Sequence, residues 1–317
     1  MRSTRRSLVK RTFTIFATVL ALFIVVFTVT RARPVHIIRN YASYSVTVNS
    51  LLLPEFVHPG GPSNYCPEVP TVFVIRTHPN DTTSREFVRK TWGRKVKNSL
   101  VFALGTDELG AIRNETLLEY QMHRDILVLN FIDSYYNLTN KAISTLRWAS
   151  EYCTKPTVIY QGDPDVAVFP DAIKRFFGNI RRGQPYIFGK CLLDEAVHRD
   201  PSDKWYVSKE LYAPSTYPTF MPGGANIFSS AAPQKLLEAM EPLEPYFHLE
   251  DVFVSGILAE RAKIPRICLE TIAFTWELGN LHKCWQDPLL AILEVGSPEL
   301  VQKAFNDVDR GMAGCRH

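Results

Sequence analysis

The chain has 317 residues, 46% of them hydrophobic and 21% charged, which suits one large folded domain with an appendage, or two small domains. The formal net charge of +4 comes from one end: residues 1–40 carry eight basic residues and no acidic one, leaving 28 basic against 32 acidic residues in the remaining 277. The body therefore has no global basic signature and no nucleic-acid motif, and nucleic acid is excluded as a partner.

Residues 13–30, FTIFATVLALFIVVFTVT, run without a charge or a proline. As a helix rising about 1.5 Å per residue, such a run just spans a hydrocarbon core. Five Lys/Arg precede it, so the positive-inside rule puts residues 1–12 in the cytosol and predicts a single-pass type II signal-anchor. The rival is a cleaved signal peptide, but the run is long for one and no clear A-x-A site follows. A short anchor suits a thin, early secretory membrane. Residues 31–66 read as a stem: they hold no sustained helical period, and PEFVHPGGPSNYCP is rich in Pro and Gly. Residues 67–317 are then the lumenal domain.

Three sequons stand in that domain, at Asn80, Asn114 and Asn137, and mark candidate glycosylation sites. Six cysteines follow the anchor: Cys66, Cys153, Cys191, Cys268, Cys284 and Cys315. None forms a C-x-x-C pair, which argues against zinc. An oxidising lumen predicts that they pair in part or whole, with connectivity open.

From about residue 69 the pattern changes. TVFVI (71–75), LVFAL (100–104), DILVLNF (125–131) and TVIY (157–160) are short apolar runs that read as buried strands. Residues 84–92 and 139–153 are helix-like; in the second, Ala142, Leu146, Ala149 and Cys153 recur at helical spacing, with Thr139 as its candidate cap. Strand alternating with helix predicts an α/β fold with a mostly parallel central sheet and helices on both faces. In such sheets ligands bind beyond the carboxyl ends of the strands.

The loop after the fourth strand reads Asp163-Pro164-Asp165. One reading is a type I turn. The other is a metal site: two carboxylates on a stiff loop repel unless a cation joins them, and hard oxygen ligands suit magnesium or manganese with diphosphate oxygens completing the shell. Glu250-Asp251 stands in the first turn of an apolar helix-like run, either complementing the helix dipole or supplying a general base. Gly223-Gly224 reads as a hairpin turn or as backbone approaching a ligand closely.

Several segments, in order, resemble the inverting β-1,3-glycosyltransferase family, which includes β-1,3-galactosyltransferases and β-1,3-N-acetylglucosaminyltransferases. REFVRKTWG (85–93) resembles the family's R-x-x-x-R-x-T-W-G, and DILVLNFIDSYYNLTNK (125–141) its D-F-x-D-S-Y-x-N-L-T-x-K. GDPDVAV stands where the family has D-D-D-V-F-V. DKWYVSKELY and YPTFMPGG resemble K-W-Y-V-S and Y-P-x-Y-x-x-G-G. EDVFVSG resembles E-D-V-Y-x-G with one extra residue before the glycine, and SPEL (297–300) resembles the closing S-P-E-E. The match covers roughly residues 70–300, and the order of the motifs makes it specific.

The resemblance implies a GT-A type fold, a UDP-sugar donor and a type II Golgi protein. By position, Asp165 binds the metal, Asp163 joins it and lies against the donor, and Asp251 is the catalytic base. Arg85 and Arg89 fall in the donor-side element, with fold-stabilising ion pairs as the equal alternative. Trp92 and Trp205 read as packing. The chain departs from the family at Pro164, at Met221-Pro222 in place of C-S, and at Glu294, where the family commonly has a metal-ligating histidine; the Glu294 carboxylate can still ligate a hard cation, with His282 as the alternative ligand.

The reading is a Golgi membrane hexosyltransferase, dependent on Mn2+ or Mg2+, that moves a sugar, galactose first, from a UDP-sugar to a glycan acceptor on glycoprotein or glycolipid. A catalytically inactive, membrane-tethered glycan-binding protein on the same fold is the alternative.

Overall fold

The computed structural model describes residues 37–38, 56–57, 66, 69–153, 156–180, 183–240, 247–274 and 289–313. The tail 1–12, the apolar run 13–30, His282, Cys284 and Cys315 lie outside them. No helix among the described residues is long and apolar enough to cross a membrane.

The segment read as a stem contributes two short strands, β1 (Ile37–Ile38) and β2 (Phe56–Val57). The four apolar runs form β3 (Thr71–Arg76), β4 (Leu100–Thr106), β5 (Ile126–Ile132) and β6 (Val158–Gly162). All of β3, β4 and β6 is buried, as expected for strands covered on both faces. After β7 (Ala167–Val168) come β8 (Ile187–Gly189), β9 (Ala225–Ser229), β10 (Arg266–Cys268), β11 (Ile272–Phe274) and β12 (Ala291–Leu293). The main sheet has nine strands in the order β1-β10-β8-β9-β6-β3-β4-β5-β2.

This sheet is mixed, which corrects the expectation of a mostly parallel one. The stretch β6-β3-β4-β5 is parallel, but β9 runs antiparallel to both β6 and β8, and both edge strands are antiparallel. The first four strands alternate with helices and must cross over; β9 reaches β6 through the long excursion 190–224, which frees its direction. A second sheet, β11-β12-β7, pairs β12 antiparallel to β7.

The helices are α1 (Thr82–Lys90), α2 (Asn114–His123), α3 (Leu138–Tyr152), α4 (Pro170–Phe177), α5 (Ala232–Glu238) and α6 (Pro298–Ala313). A 3-10 segment, Trp92–Ser99, follows α1. Asp81 caps α1, its carboxylate accepting from Ser84 N at 3.1 Å, so the helix starts two residues earlier than the sequence pattern alone sets it. Thr139 does not cap α3. It lies inside the first turn, fully buried, and donates to Phe247 O at 2.5 Å, because a distant carbonyl takes its hydroxyl.

Helical segments cover both faces of the main sheet. Tyr160 packs on Phe73, which packs on Trp92 of the 3-10 segment. The next residue, Gln161, points the other way and donates to Ala142 O of α3 at 3.3 Å. Disulfides join Cys66 to Cys153 and Cys191 to Cys268, closing separations of 87 and 77 residues, and no cysteine among the described residues is free. In the chain-entropy model each crosslink of that length stabilises by about 4–5 kcal/mol.

Candidate active site

The carboxyl ends of β3 and β6, the entry to β9, the exit of β12 and one helix start converge on a cleft of about 600 Å³. Each sequence element supplies one part. The run TVFVIR ends in Arg76, a cation closing a buried strand. Burial alone would push its charge off, but Asp163 and Glu250 hold it, and its pKa stands above the ordinary arginine value. Its Nη2 donates to Asp163 Oδ1 and to Gly223 O, each at 2.8 Å, and Nε reaches Asp163 Oδ1 at 3.1 Å. Its Nη1 faces Glu250 Oε1 at 2.5 Å as an ion pair rather than an aligned hydrogen bond.

Asp163-Pro164-Asp165 is a turn, as the first reading had it, and both carboxylates line the cleft. The β6–β9 ladder ends here with Asp163 N donating to Gly224 O at 3.1 Å. Two residues on, β7 pairs with β12, so Val295 N bonds Asp165 O at 3.2 Å and Glu294 arrives beside Asp165. Burial pushes the Asp165 carboxyl up, and the charges of Asp163 and Glu294 add to that. Glu294 is exposed and sits at φ 56°, a left-handed conformation that costs a non-glycine residue energy.

Gly223 is required by space. A Cβ there would run into the Glu250 carboxylate and come within 2.8 Å of Arg76 Nη2. Gly223 and Gly224 therefore line the cleft as bare backbone, which fits the close-approach reading and not a two-residue hairpin.

Glu250 and Asp251 lead into a π-helical segment, Val252–Leu258, a winding found often at functional sites. Asp251 caps it: Oδ1 accepts from Val252 N at 2.8 Å. No hydrogen bond within the described residues engages its Oδ2, and the side chain lines the cleft. Burial pushes its carboxyl above the usual range. Glu250 stands at the helix start but spends its carboxylate on the buried Arg76. Burial pushes the Glu250 carboxyl up to about 7, Arg76 opposes that, and the Asp251 and Asp163 charges reinforce it.

Behind this layer lies a second ion pair. Lys141 Nζ donates to Asp133 Oδ1 at 2.7 Å and to Thr77 O at 2.8 Å, and Asp133 Oδ2 accepts from Gly105 N at 2.7 Å. Both side chains are nearly fully buried, and burial lowers the lysine pKa.

Arg85 and Arg89 are not among the residues that line the cleft. Arg85 is fully buried, pairs with Glu119 at 2.7 Å and donates to the carbonyls of His78 and Pro79. Arg89 pairs with Glu119 and Asp125, each at 2.7 Å. They fasten α1 to α2 and to the entry of β5; the ion-pair alternative holds. Trp92 is buried as expected, whereas Trp205 is 43% exposed and lines the cleft. Near it stand Tyr135, 47% exposed, and His198, whose Nδ1 lies 2.6 Å from Asp203. Tyr217 also lines the cleft, with a buried hydroxyl that finds no hydrogen-bond partner among the described residues. Asn80 and Asn114 are exposed. Asn137 is half-buried, and its amide donates to Ile132 O at 2.8 Å, a structural use of that sequon.

Arg76, Tyr135 and Tyr217 were not singled out from the sequence. A cation at the end of an otherwise apolar strand is the signal that points to Arg76; the two tyrosines carry none beyond lying in quoted motifs.

A sequence model of the galactosyltransferase family matches residues 83–270. The chain is 32% identical over 210 residues to beta-1,3-galactosyltransferase 5 of Pan paniscus, covering 64% of this chain and 69% of that protein. It is 28% identical over 244 residues to beta-1,3-galactosyltransferase 1 of Mus musculus, covering 75% and 73%. Among solved structures, the galactosyltransferase LgtC aligns with a TM-score of 0.42 at 8% identity, over 75% of this chain and 95% of that one, a likeness too low to argue from.

Proposed function

Since the chain belongs to the galactosyltransferase family and is a hexosyltransferase, we propose that it transfers galactose from UDP-galactose to a glycan hydroxyl, with inversion and a β-1,3 linkage. One observation carries this reading: a cleft with acidic groups at its strand-end side, Asp163, Asp165 and Glu294, also presents Asp251 with one carboxylate oxygen unengaged. The first group suits a diphosphate held through a cation; the second suits a proton acceptor.

In the single displacement, the acceptor hydroxyl oxygen bonds to the anomeric carbon as the bond from that carbon to the diphosphate breaks, and UDP leaves with the electron pair. Asp251 Oδ2 takes the hydroxyl proton. Its raised pKa brings a carboxylate closer to the range in which a base works well. The Val252 N–H fixes the other oxygen and with it the plane of the carboxylate.

The residues fit a hard divalent cation. Asp165 is crowded by two like charges, and a cation there relieves that crowding. Among the described residues no group of three or more His, Cys, Asp or Glu is set to hold an ion unaided, so the protein would supply part of a shell that waters and phosphate oxygens would complete. Asp165, helped by Asp163 or Glu294, would hold Mn2+ or Mg2+, which would neutralise charge on the departing diphosphate.

Tyr135, Trp205 and His198, which line the same cleft, suit the acceptor. Exposed aromatic faces suit the apolar face of a pyranose ring, while their polar tips reach its hydroxyls. The run 13–30, the exposed sequons Asn80 and Asn114 and the two disulfides support a lumenal, type II placement in the Golgi.

The test is transfer by the purified protein from a panel of UDP-sugars to β-glycosides, with manganese, read by product mass. UDP-galactose is the expected donor. Asp251→Asn should lower turnover roughly a hundred- to ten-thousand-fold with UDP affinity unchanged. Full activity in that variant removes Asp251 as base. Preference for UDP-N-acetylglucosamine replaces the donor. UDP binding without transfer to any acceptor favours a glycan-binding protein.

A further inference from the structure

Two departures from the family pattern touch in the fold. One is the extra residue before Gly256; the other is Met221-Pro222 at the entry to β9. Ser255 is fully buried in the π-helical segment. Its Oγ accepts from Met221 N at 2.8 Å, and its own proton has Asp251 O at 2.7 Å and Met221 O at 3.2 Å as acceptors. A serine hydroxyl bonding back to the carbonyl four residues earlier bends a helix, and here the same hydroxyl reaches a second chain segment.

That segment cannot hold itself. Pro222 has no N–H to donate, and Gly223 and Gly224 have no side chains. Its position must come from outside. Downstream, Gly223 O is held by Arg76 and Gly224 O by Asp163 N. Upstream, Phe220 is bridged to Leu192, and at Met221 the N–H donates to Ser255 Oγ while the carbonyl accepts from it.

We propose that Ser255 is a positioning residue whose hydroxyl locks the Met221–Gly224 backbone to the turn carrying Asp251, and so sets the donor cradle relative to the base. The proposal rests on the reading of Gly223-Gly224 and Asp163 as the donor end. The hydroxyl ties Asp251 O and Met221 N to one atom, so cradle and base move together. Without it, Met221 N–H is left buried and unpaired, and between the Phe220–Leu192 bridge and Arg76 the Pro-Gly-Gly backbone loses its tie to the turn carrying Asp251.

The experiment compares Ser255→Ala with Ile257→Val in the full-length protein. Ile257 is a buried apolar neighbour on the same segment, and its change lowers stability without removing a hydrogen bond. Three quantities are read: melting temperature, amide exchange across residues 219–226, and UDP affinity with manganese. Ser255→Ala should speed exchange at 221–224 and weaken UDP binding about tenfold. In transfer assays it should raise KM for the UDP-sugar more than it lowers kcat. Ile257→Val should lower the melting temperature and leave exchange and UDP affinity at wild-type values. Unchanged exchange in Ser255→Ala, or equal weakening of UDP binding by Ile257→Val, overturns the proposal. If wild type binds no UDP, the donor reading fails, and the exchange comparison still decides whether Ser255 holds the segment.

Discussion

Arg76 Nη1 lies 2.5 Å from Glu250 Oε1, joining the end of the first central strand to the residue before the proposed base. The guanidinium is almost wholly buried and also holds Asp163, so one cation serves two carboxylates from distant parts of the chain. Arg76→Met keeps the length and removes the charge. The buried Glu250 carboxylate then lacks its cation beside a half-buried Asp163, and the expected cost is about 3 kcal/mol at pH 8 by urea unfolding. The cost should be smaller at pH 5.5, where Glu250 is protonated. An equal cost at both pH values argues against Glu250 as the charge that Arg76 offsets.

The Glu250 carboxyl, pushed up to about 7 by burial, sets a second expectation. Between its ordinary value of 4.5 and about 7, the native state keeps a proton that the unfolded state has released. Its contribution to stability therefore falls as pH rises through that window and is level above it. Glu250→Gln should flatten the unfolding free energy between pH 5 and 7 relative to wild type. A curve with unchanged slope removes Glu250 as the titrating group.

Asp165 is disfavoured as a charged group in the ligand-free protein, because it is half-buried beside the charges of Asp163 and Glu294. Asp165→Asn should leave the melting temperature of the ligand-free form unchanged or slightly raised. It should also weaken manganese-dependent UDP binding more than tenfold, since a hard cation loses a charged oxygen ligand. Calorimetry with and without manganese reads both. Loss of stability with UDP binding intact makes the loop a structural turn only.

Arg89 reaches Glu119 and Asp125, away from the cleft. Arg89→Ala should cost roughly 2–4 kcal/mol, because Asp125 is left largely buried without its partner. UDP affinity at a temperature where the variant is folded should equal that of wild type. A selective loss of UDP affinity supports the donor-side assignment.

Much of the fold was readable in the chain. The runs at 71–75, 100–104 and 157–160 are apolar on both faces, and the burial of β3, β4 and β6 follows directly from that composition, whereas β5 is buried only over Ile126–Leu129. Strand direction after residue 190 was not readable. Strands as short as β8 and β10 carry too few residues for a period, and pairing is decided by which ladder they meet.

The carboxylates of the site were likewise legible as residues, through motif order and their place at strand ends. Their partners were not. Asp163 and Asp165 announce themselves as a pair, yet Asp163 pairs with Arg76, 87 positions earlier, and Asp165 meets Glu294 through the β7–β12 ladder. Glu250 and Asp251 are neighbours in sequence with opposite duties: one faces an internal arginine, the other caps a helix with an oxygen left over. By itself the sequence determined which groups carry charge, which segments must be buried and where the chain turns, because these follow from side-chain chemistry and local periodicity. The tertiary structure alone decided which charges meet, because burial and ion pairing depend on distances between segments that only the packed sheet brings together.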